Sequence, residues 1–103
     1  MASVQDLYGN SYSYQAAAAA NKVISASPAY LIGIIIGKWV DDGIIEVSDH
    51  ASDGDGNVQV YLDTSNADDT AFPLYIPVNA EFTTGIAVDQ TNLTNVTYIY
   101  RPV

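Results

Sequence analysis

The residues best suited to chemistry lie in one stretch, DHASDGDGNVQV, from Asp49 to Val60. Carboxylate and amide oxygens alternate there with glycines, the composition from which calcium loops are made. An EF-hand loop needs ligands at its positions 1, 3, 5 and 12 and glycine at position 6. A loop starting at Asp53 has valine at position 6, and a loop starting at Asp49 has alanine at position 3. We therefore predict a tight hairpin turn without a metal ion, because Gly, Asn and Asp tolerate positive φ. A calcium site of another kind at the loop tip is the alternative.

The only histidine, His50, follows Ser48 and Asp49, so the three residue types of a nucleophilic triad are adjacent. On a strand, however, Ser48 and His50 share one face while Asp49 points to the other, so the three cannot converge. One histidine and no cysteine also disfavour zinc. The carboxylate pairs in segments 41–43 and 67–69 fall in apparent turns without an apolar pocket. We expect no enzymatic activity, no metal and no cofactor.

The charge balance is strongly acidic, with 12 Asp and Glu residues against three Lys and Arg residues and a net charge of −9. Nucleic acids and anionic membranes are bound through Lys and Arg, so we expect neither as a partner. The longest apolar run, Ala29–Gly37, is about half as long as a membrane span. The first residues lack the basic and apolar regions of a secretory signal. These features predict a soluble domain and give no indication of export.

The chain divides near Asn21 into a polar N-terminal arm, residues 1–20, and a domain of short apolar runs, residues 21–103. The runs have period two and are separated by turn signals, which predicts an all-β, antiparallel, jelly-roll-like sandwich. A short helix over Ala16–Ala20 is an alternative within the arm, although five alanines are too few to hold one alone. The predicted strands are Lys22–Ser27, Ala29–Ile36, Gly43–His50, Asn57–Asp63, Phe72–Val78, Phe82–Val88 and Asn95–Arg101.

Two of these strands have a clear inner face. Strand Asn57–Asp63 places Val58, Val60 and Leu62 on one side by strict alternation. Strand Phe72–Val78 places Phe72, Leu74, Ile76 and Val78 inward and two prolines outward, at 73 and 77. Because proline cannot donate to a ladder, we predict that Phe72–Val78 is an edge strand.

The strand Ala29–Ile36 is apolar on both faces. Alternation groups Tyr30, Ile32, Ile34 and Ile36 on one face and Leu31, Gly33 and Ile35 on the other. A sandwich buries only one face of each sheet, so the second face is either left as scattered exposed aliphatics or covered. We expect cover from the N-terminal arm or from another subunit.

Eight tyrosines are the other unusual feature. Tyrosine combines a large contact area with a hydrogen-bonding tip and is enriched at protein interfaces. Disordered tails are usually poor in aromatic residues, so we expect the segment Leu7–Tyr14 to dock on a partner. The predicted interface residues are Leu7, Tyr8, Tyr12, Tyr14, Leu31, Ile35, Tyr98 and Tyr100.

Two segments, AYLIGIIIGKWVDDGIIEVSD and LYIPVNAEFTTGIAVDQTNLTNVTYIYRP, carry a resemblance to a known group of proteins. The order of elements resembles that of small β-sandwich virion proteins of tailed bacteriophages, particularly capsid decoration (cement) proteins. It consists of an apolar strand after a polar arm, a proline-bounded strand, the strand Phe82–Val88 and the closing strand Val96–Arg101. The resemblance covers roughly residues 22–103. It implies a homotrimer that binds the major capsid protein outside the shell and stabilises it. The expected location is the virion, after synthesis in the host cytoplasm.

A carbohydrate- or receptor-binding module of a phage fibre or knob is the alternative function. Trp39, Tyr61 and Tyr75 would supply its stacking surfaces. A stable symmetric oligomer without glycan affinity would favour the structural protein, and a monomer that binds sugars would favour the module.

Overall fold

The structure, a computed structural model, describes residues 4–38, 40–65 and 69–103. The described residues form antiparallel strands and one 3-10 turn, Asp69–Ala71, and none of them belongs to a helix long and apolar enough to cross a membrane. The strands are β1 (Val4–Gln5), β2 (Ser11–Gln15), β3 (Ala19–Ser25), β4 (Ala29–Ile36), β5 (Ile44–Ser48), β6 (Val58–Asp63), β7 (Leu74–Phe82), β8 (Ile86–Thr91) and β9 (Val96–Pro102).

The strands form two antiparallel sheets that pack against each other. The first sheet has the order β1-β2-β9-β4-β7, and the second has the order β3-β8-β5-β6. From β2 onwards the chain wraps around the sandwich, so that, apart from β5 and β6, neighbouring strands within each sheet are not consecutive in the sequence. Eight strands wrapped in this way make a jelly roll. The predicted all-β jelly-roll sandwich is confirmed.

The N-terminal segment is extended, as expected, but it belongs to the sandwich. β1 and β2 form a hairpin, and β2 pairs with β9 in a register that sets Tyr12 opposite Ile99. No strand was predicted before Lys22, because this segment is polar and aromatic rather than aliphatic. The alanine tract forms no helix, and β3 begins at Ala19 within it.

A bulge in β4 corrects the predicted faces of this strand. The pairing of β4 with both of its neighbours shifts register between Leu31 and Gly33. Leu31 and Ile34 consequently both point into the core and are fully buried, although simple alternation places them on opposite faces. Ile32 and Ile35 are half-buried.

The edge strands agree largely with the sequence. β7 lies at the edge of the first sheet, as predicted, with Pro77 exposed within it and Pro73 exposed just before it. The strand begins at Leu74 and not at Phe72, and it continues past Val78 to Phe82. In β6, Val60 and Leu62 pack against the core as predicted. Val58 does not pack against the core. A register shift places it opposite Ser48, and the Val58 side chain is 40% exposed.

The core lies between the two sheets and contains one polar link. The Tyr98 hydroxyl on β9 donates a 2.8 Å hydrogen bond to Oε1 of Gln90 on β8, which joins the first sheet to the second. Gln90 Nε2 donates in turn to the Leu93 carbonyl at 2.9 Å. Burial raises the pKa of Tyr98, so the phenol stays protonated and remains a donor. The largest fully buried apolar side chains are Leu31, Ile34, Ile36, Ile45, Val47, Phe82, Ile86, Val88, Leu93 and Val96.

Candidate interaction site

The stretch Asp49–Asn57 connects β5 to β6 as a hairpin, as predicted, but it is a nine-residue loop and not a tight turn, and none of its residues has positive φ. The Asp49 amide donates to the Asn57 carbonyl at 2.9 Å, and the Gly56 amide donates to the Asp53 carbonyl at 3.3 Å. The Gly54 amide donates to Asn21 Oδ1 at 2.9 Å, which folds the turn back over the second sheet. The glycines and aspartates are therefore used to shape a turn.

The side chains of His50 and Ser48, two residues of the hypothetical triad, hold different parts of this turn, and the side chain of Asp49 does not. His50 Nδ1 accepts hydrogen bonds from the amides of Ser52 and Asp53 at 3.1 and 2.9 Å. Ser48 Oγ donates to the Gly54 carbonyl at 2.5 Å. The Asp49 carboxylate points to the other side of the strand, as alternation requires.

The Asp49 carboxylate instead fixes the turn between β7 and β8. It accepts hydrogen bonds from the Thr84 amide at 2.8 Å and from the amide and hydroxyl of Thr83 at 3.1 and 3.0 Å. Burial alone would raise the pKa of Asp49, but these hydrogen bonds, with another from Gly85, lower it overall. Asp49 therefore has a structural role as an ionised cap.

The outer side of the second sheet concentrates negative charge. Glu46 on β5 lies directly opposite Asp89 on β8, and like charges in opposite positions destabilise a strand pair. The hydrogen bond with Asp53 raises the pKa of Asp55, and the charges of Asp89 and Glu46 add to this effect. Within the described ranges, no three His, Asp or Glu side chains are grouped so as to hold a metal ion. We call this surface, with Glu46, Asp55, Asp63 and Asp89, the acidic face.

The outer side of the first sheet is very different in composition. Strand pairing places one row of uncharged side chains across it, Tyr14, Thr97, Ile35 and Tyr75. The next row is Tyr12, Ile99, Gly33 and Pro77. A third row holds Arg101, Tyr30 and Glu81. We call this surface the tyrosine face, and its three rows are defined by these eleven residues.

The tyrosine face is partly covered by its own side chains. A Cβ atom on Gly33 would lie 2.6 Å from the Tyr75 hydroxyl oxygen, so the Tyr75 ring rests directly on the glycine backbone. Ile99 is 7% exposed although it points outward. Its neighbour Tyr12 donates to the Asp6 carboxylate at 3.1 Å. The N-terminal segment thus covers part of the apolar reverse side of the sheet, while Tyr14 and Tyr75 stay 53% and 49% exposed.

The turn of the β1–β2 hairpin presents two exposed apolar side chains. We call residues 6–10 the hairpin tip, in which Leu7 is 99% and Tyr8 82% exposed. Asp6 Oδ1 accepts hydrogen bonds from the amides of Tyr8 and Asn10 at 2.8 and 3.0 Å. Burial would raise the pKa of Asp6, but these amides and the Tyr12 hydroxyl lower it overall. The tip is therefore a preformed turn that projects its side chains outward.

The predicted interface residues divide between surface and core. Leu7 and Tyr8 lie on the hairpin tip, and Tyr12, Tyr14 and Ile35 lie on the tyrosine face. Leu31 and Tyr98 are fully buried in the core, which corrects their assignment to an interface, and Tyr100 is half-buried against it. The bulge in β4 turns the Leu31 side chain into the core. The hydrogen bond to Gln90 satisfies the Tyr98 hydroxyl there, so this tyrosine can be buried.

Tyr30 and Arg101 were missed as candidate interface residues. Only the pairing of β9 with β4 shows that they share the tyrosine face, where the Arg101 guanidinium lies 5.5 Å from the centre of the Tyr30 ring. The proposed stacking residue Trp39 and residues 67–68 of the second carboxylate pair lie outside the described residues.

Comparison of the chain with protein-family models, with curated proteins and with solved structures found no match.

Proposed function

We propose that this chain is a structural virion protein, a decoration or cement protein that binds the major capsid protein outside a phage head and stabilises the shell. The observation that supports this best is the hairpin tip, with the exposed Leu7 and Tyr8. Two such side chains in an acidic, rigid sandwich are suited to insertion into an apolar pocket of a partner.

The geometry of the tip favours binding with little loss of conformational entropy. The Asp6 carboxylate already holds the turn through the amides of Tyr8 and Asn10. Preorganised loops lose less freedom on binding, so more of the contact energy appears as affinity. Each bound copy then stabilises the shell by RT ln(1 + [L]/Kd), and the effect multiplies over many copies.

The acidic face fits the same role. Negative charge on the outside keeps decorated particles apart in solution and discourages nonspecific binding to nucleic acid. On the shell we propose the homotrimer that the resemblance implies, with contacts about a three-fold axis that are separate from any pairing of free chains in solution.

The alternative, a carbohydrate-binding module, has less support. Tyr61 is 56% and Tyr75 49% exposed, as stacking residues should be. However, Tyr61 pairs with Glu46 on the outer side of the second sheet, and Tyr75 pairs with Ile35 on the outer side of the first. The two rings face opposite directions and cannot stack on one sugar.

Co-sedimentation with shells assembled from the major capsid protein of the same virus tests the proposal. The wild-type chain should bind the shells and raise their melting temperature. The double variant Leu7→Ser/Tyr8→Ser should bind at least about tenfold more weakly. The control Val23→Ser removes a 45% exposed apolar side chain from β3 and should bind normally.

The proposal is wrong if the wild-type chain stays in the supernatant, or if it is a monomer that binds sugars on a glycan array. Deleting residues 1–14 is a poorer test, because it removes most of β2 and uncovers the edge of β9. Light scattering on the free protein measures whether a trimer forms before the shell is bound.

A further inference from the structure

The charged row of the tyrosine face is arranged so that it matches a second copy of itself. Tyr30 on β4 pairs with Arg101 on β9 at one side and with Glu81 on β7 at the other. Neighbouring strands are about 4.8 Å apart, so the backbone positions of Arg101 and Glu81 lie at nearly equal distances on either side of Tyr30. Both are exposed, and within the described residues neither forms a salt bridge.

We propose that two copies of this chain pack through their tyrosine faces about a two-fold axis that runs along β4. Rotation about that axis turns one face onto the other and exchanges the positions of the strands on either side. Arg101 of each copy then lies against Glu81 of the other, and the contact is made twice, as an isologous interface requires. Both sheets keep nearly aligned strands, the usual arrangement for sheets packed face to face.

The remaining rows are compatible with this contact because they carry no charge. Rotation about β4 brings Tyr75 of one copy over Thr97 of the other, and Pro77 over Ile99. Tyr14 and Tyr75, about half-exposed in the single chain, lose water in the pair. Tyrosine and arginine are the residue types most enriched in the centres of such interfaces.

Charge also explains why this surface and not another one would self-associate. The chain has a net charge of −9, so most of its surface repels a second copy. The acidic face would bring Glu46 and Asp89 against their own equivalents. The eleven residues of the tyrosine face include one charge of each sign, Arg101 and Glu81. One of the three basic residues of the chain, Arg101, is on this face.

The axis leaves the hairpin tip free. β4 is not central in the first sheet: one strand, β7, lies on one side, and β9, β2 and β1 lie on the other. After rotation, the β1–β2 hairpin of each copy extends beyond the edge strand β7 of its partner. Pairing of two copies and binding of a shell through the tip therefore use separate surfaces, and either can fail without the other.

Charge reversal tests the pairing directly, by sedimentation equilibrium at about 0.15 M salt, where the screening length is about 8 Å. The wild-type chain should form dimers. Arg101→Glu and Glu81→Arg should each weaken dimerisation by about 100-fold, because each places like charges in contact at both sites. The double variant Arg101→Glu/Glu81→Arg should dimerise again, and a mixture of the two single variants should form heterodimers.

The double variant also lacks the arginine over Tyr30. If it dimerises again, the weaker dimerisation of Arg101→Glu is due to the charge contact and not to loss of the Arg101 side chain from Tyr30. Both positions are exposed, so the melting temperature of each variant should stay near that of the wild type. A wild-type chain that is monomeric at millimolar concentration overturns the proposal. Single variants that dimerise as well as the wild type, or a double variant without recovery, overturn it equally.

Discussion

The two outer faces of this jelly roll are built on the same kind of sheet and differ in almost every property that governs association. On the tyrosine face, no two charged residues of its three rows are direct cross-strand neighbours, because Tyr30 separates Arg101 from Glu81. On the acidic face, Glu46 lies directly opposite Asp89. The fold accepts a repulsive pair on one side while the other side remains neutral. Such a division is expected when one surface binds protein and the other has to stay in water.

Each face has a glycine in close contact with a neighbouring group, and the two neighbouring groups differ. Gly54 lies over the acidic side of β8, where a Cβ atom would come within 2.5 Å of the Val88 carbonyl carbon. Gly33 lies under the Tyr75 ring, which is exposed and can move aside. We expect Gly54→Ala to lower the free energy of unfolding by about 3 kcal/mol and Gly33→Ala by about 1 kcal/mol or less. Urea denaturation measures both, and equal losses would contradict this difference.

The two sheets are coupled through the core by the hydrogen bond from Tyr98 to Gln90. Tyr98→Phe leaves the buried Gln90 Oε1 without its donor, which should cost about 2 kcal/mol. Tyr100→Phe is the matched control, because its half-buried hydroxyl makes no hydrogen bond within the described residues, and it should cost less than about 0.5 kcal/mol. Thermal denaturation followed by circular dichroism compares the two. A harmless Tyr98→Phe would mean that the sheets are held together by apolar packing alone.

Acid should act on the end of the sandwich where Asp49 caps the turn between β7 and β8. The pKa of Asp49 is lowered from 3.8 in the folded chain, so its contribution to stability is present above pH 3.8 and is lost as the pH falls through the folded value. Asp49→Asn should cost about 1 kcal/mol at pH 7, because the partly solvated cap keeps its acceptor but loses its charge. Below the folded pKa the wild type and the variant should become similar. Melting curves between pH 2 and pH 7 test this, and a constant difference across the range would argue against an ionised cap.

Reversing the repulsive pair should have the smallest effect. Glu46→Lys places a positive charge opposite Asp89 and near Asp55, and should stabilise the fold by about 0.5 kcal/mol at low salt. The gain should fall at about 1 M salt, where the screening length is about 3 Å. Glu81→Lys on the tyrosine face is the control, because its cross-strand neighbour is Tyr30 and not a carboxylate. At concentrations where the chain is monomeric, this control should give no gain. A stabilised Glu81→Lys would remove the distinction between the faces.

The sequence predicts the fold well where polar and apolar residues alternate. β6 and the first part of β7 are predicted correctly, because Val60, Leu62 and Pro77 have distinct preferences. The bulge in β4 could not be predicted from the sequence, because a run of isoleucines is apolar on both faces whichever residues point inward. Leu31 was therefore assigned to a surface although it is fully buried.

The candidate interface could be predicted only in part. The exposed tip residues Leu7 and Tyr8 follow from composition, since isolated apolar residues in a polar segment attract attention without any knowledge of the fold. The tyrosine face does not, because its rows join residues from β2, β4, β7 and β9. Strand order, and with it the pairing of Arg101, Tyr30 and Glu81, is set by tertiary packing and leaves no local signal.

The pairing of β2 with β9 also sets an order of events during synthesis. The β1–β2 hairpin joins the rest of the first sheet through one strand pair, β2 with β9, and β9 is the strand Val96–Pro102. A ribosome has to release about 80 further residues before the first hairpin finds its place, and contacts over such separations form slowly. Until then the tyrosines of β2 are exposed to every other nascent chain. Pairing of the β1–β2 hairpin with β9 should therefore be the last step of folding and the step most sensitive to protein concentration.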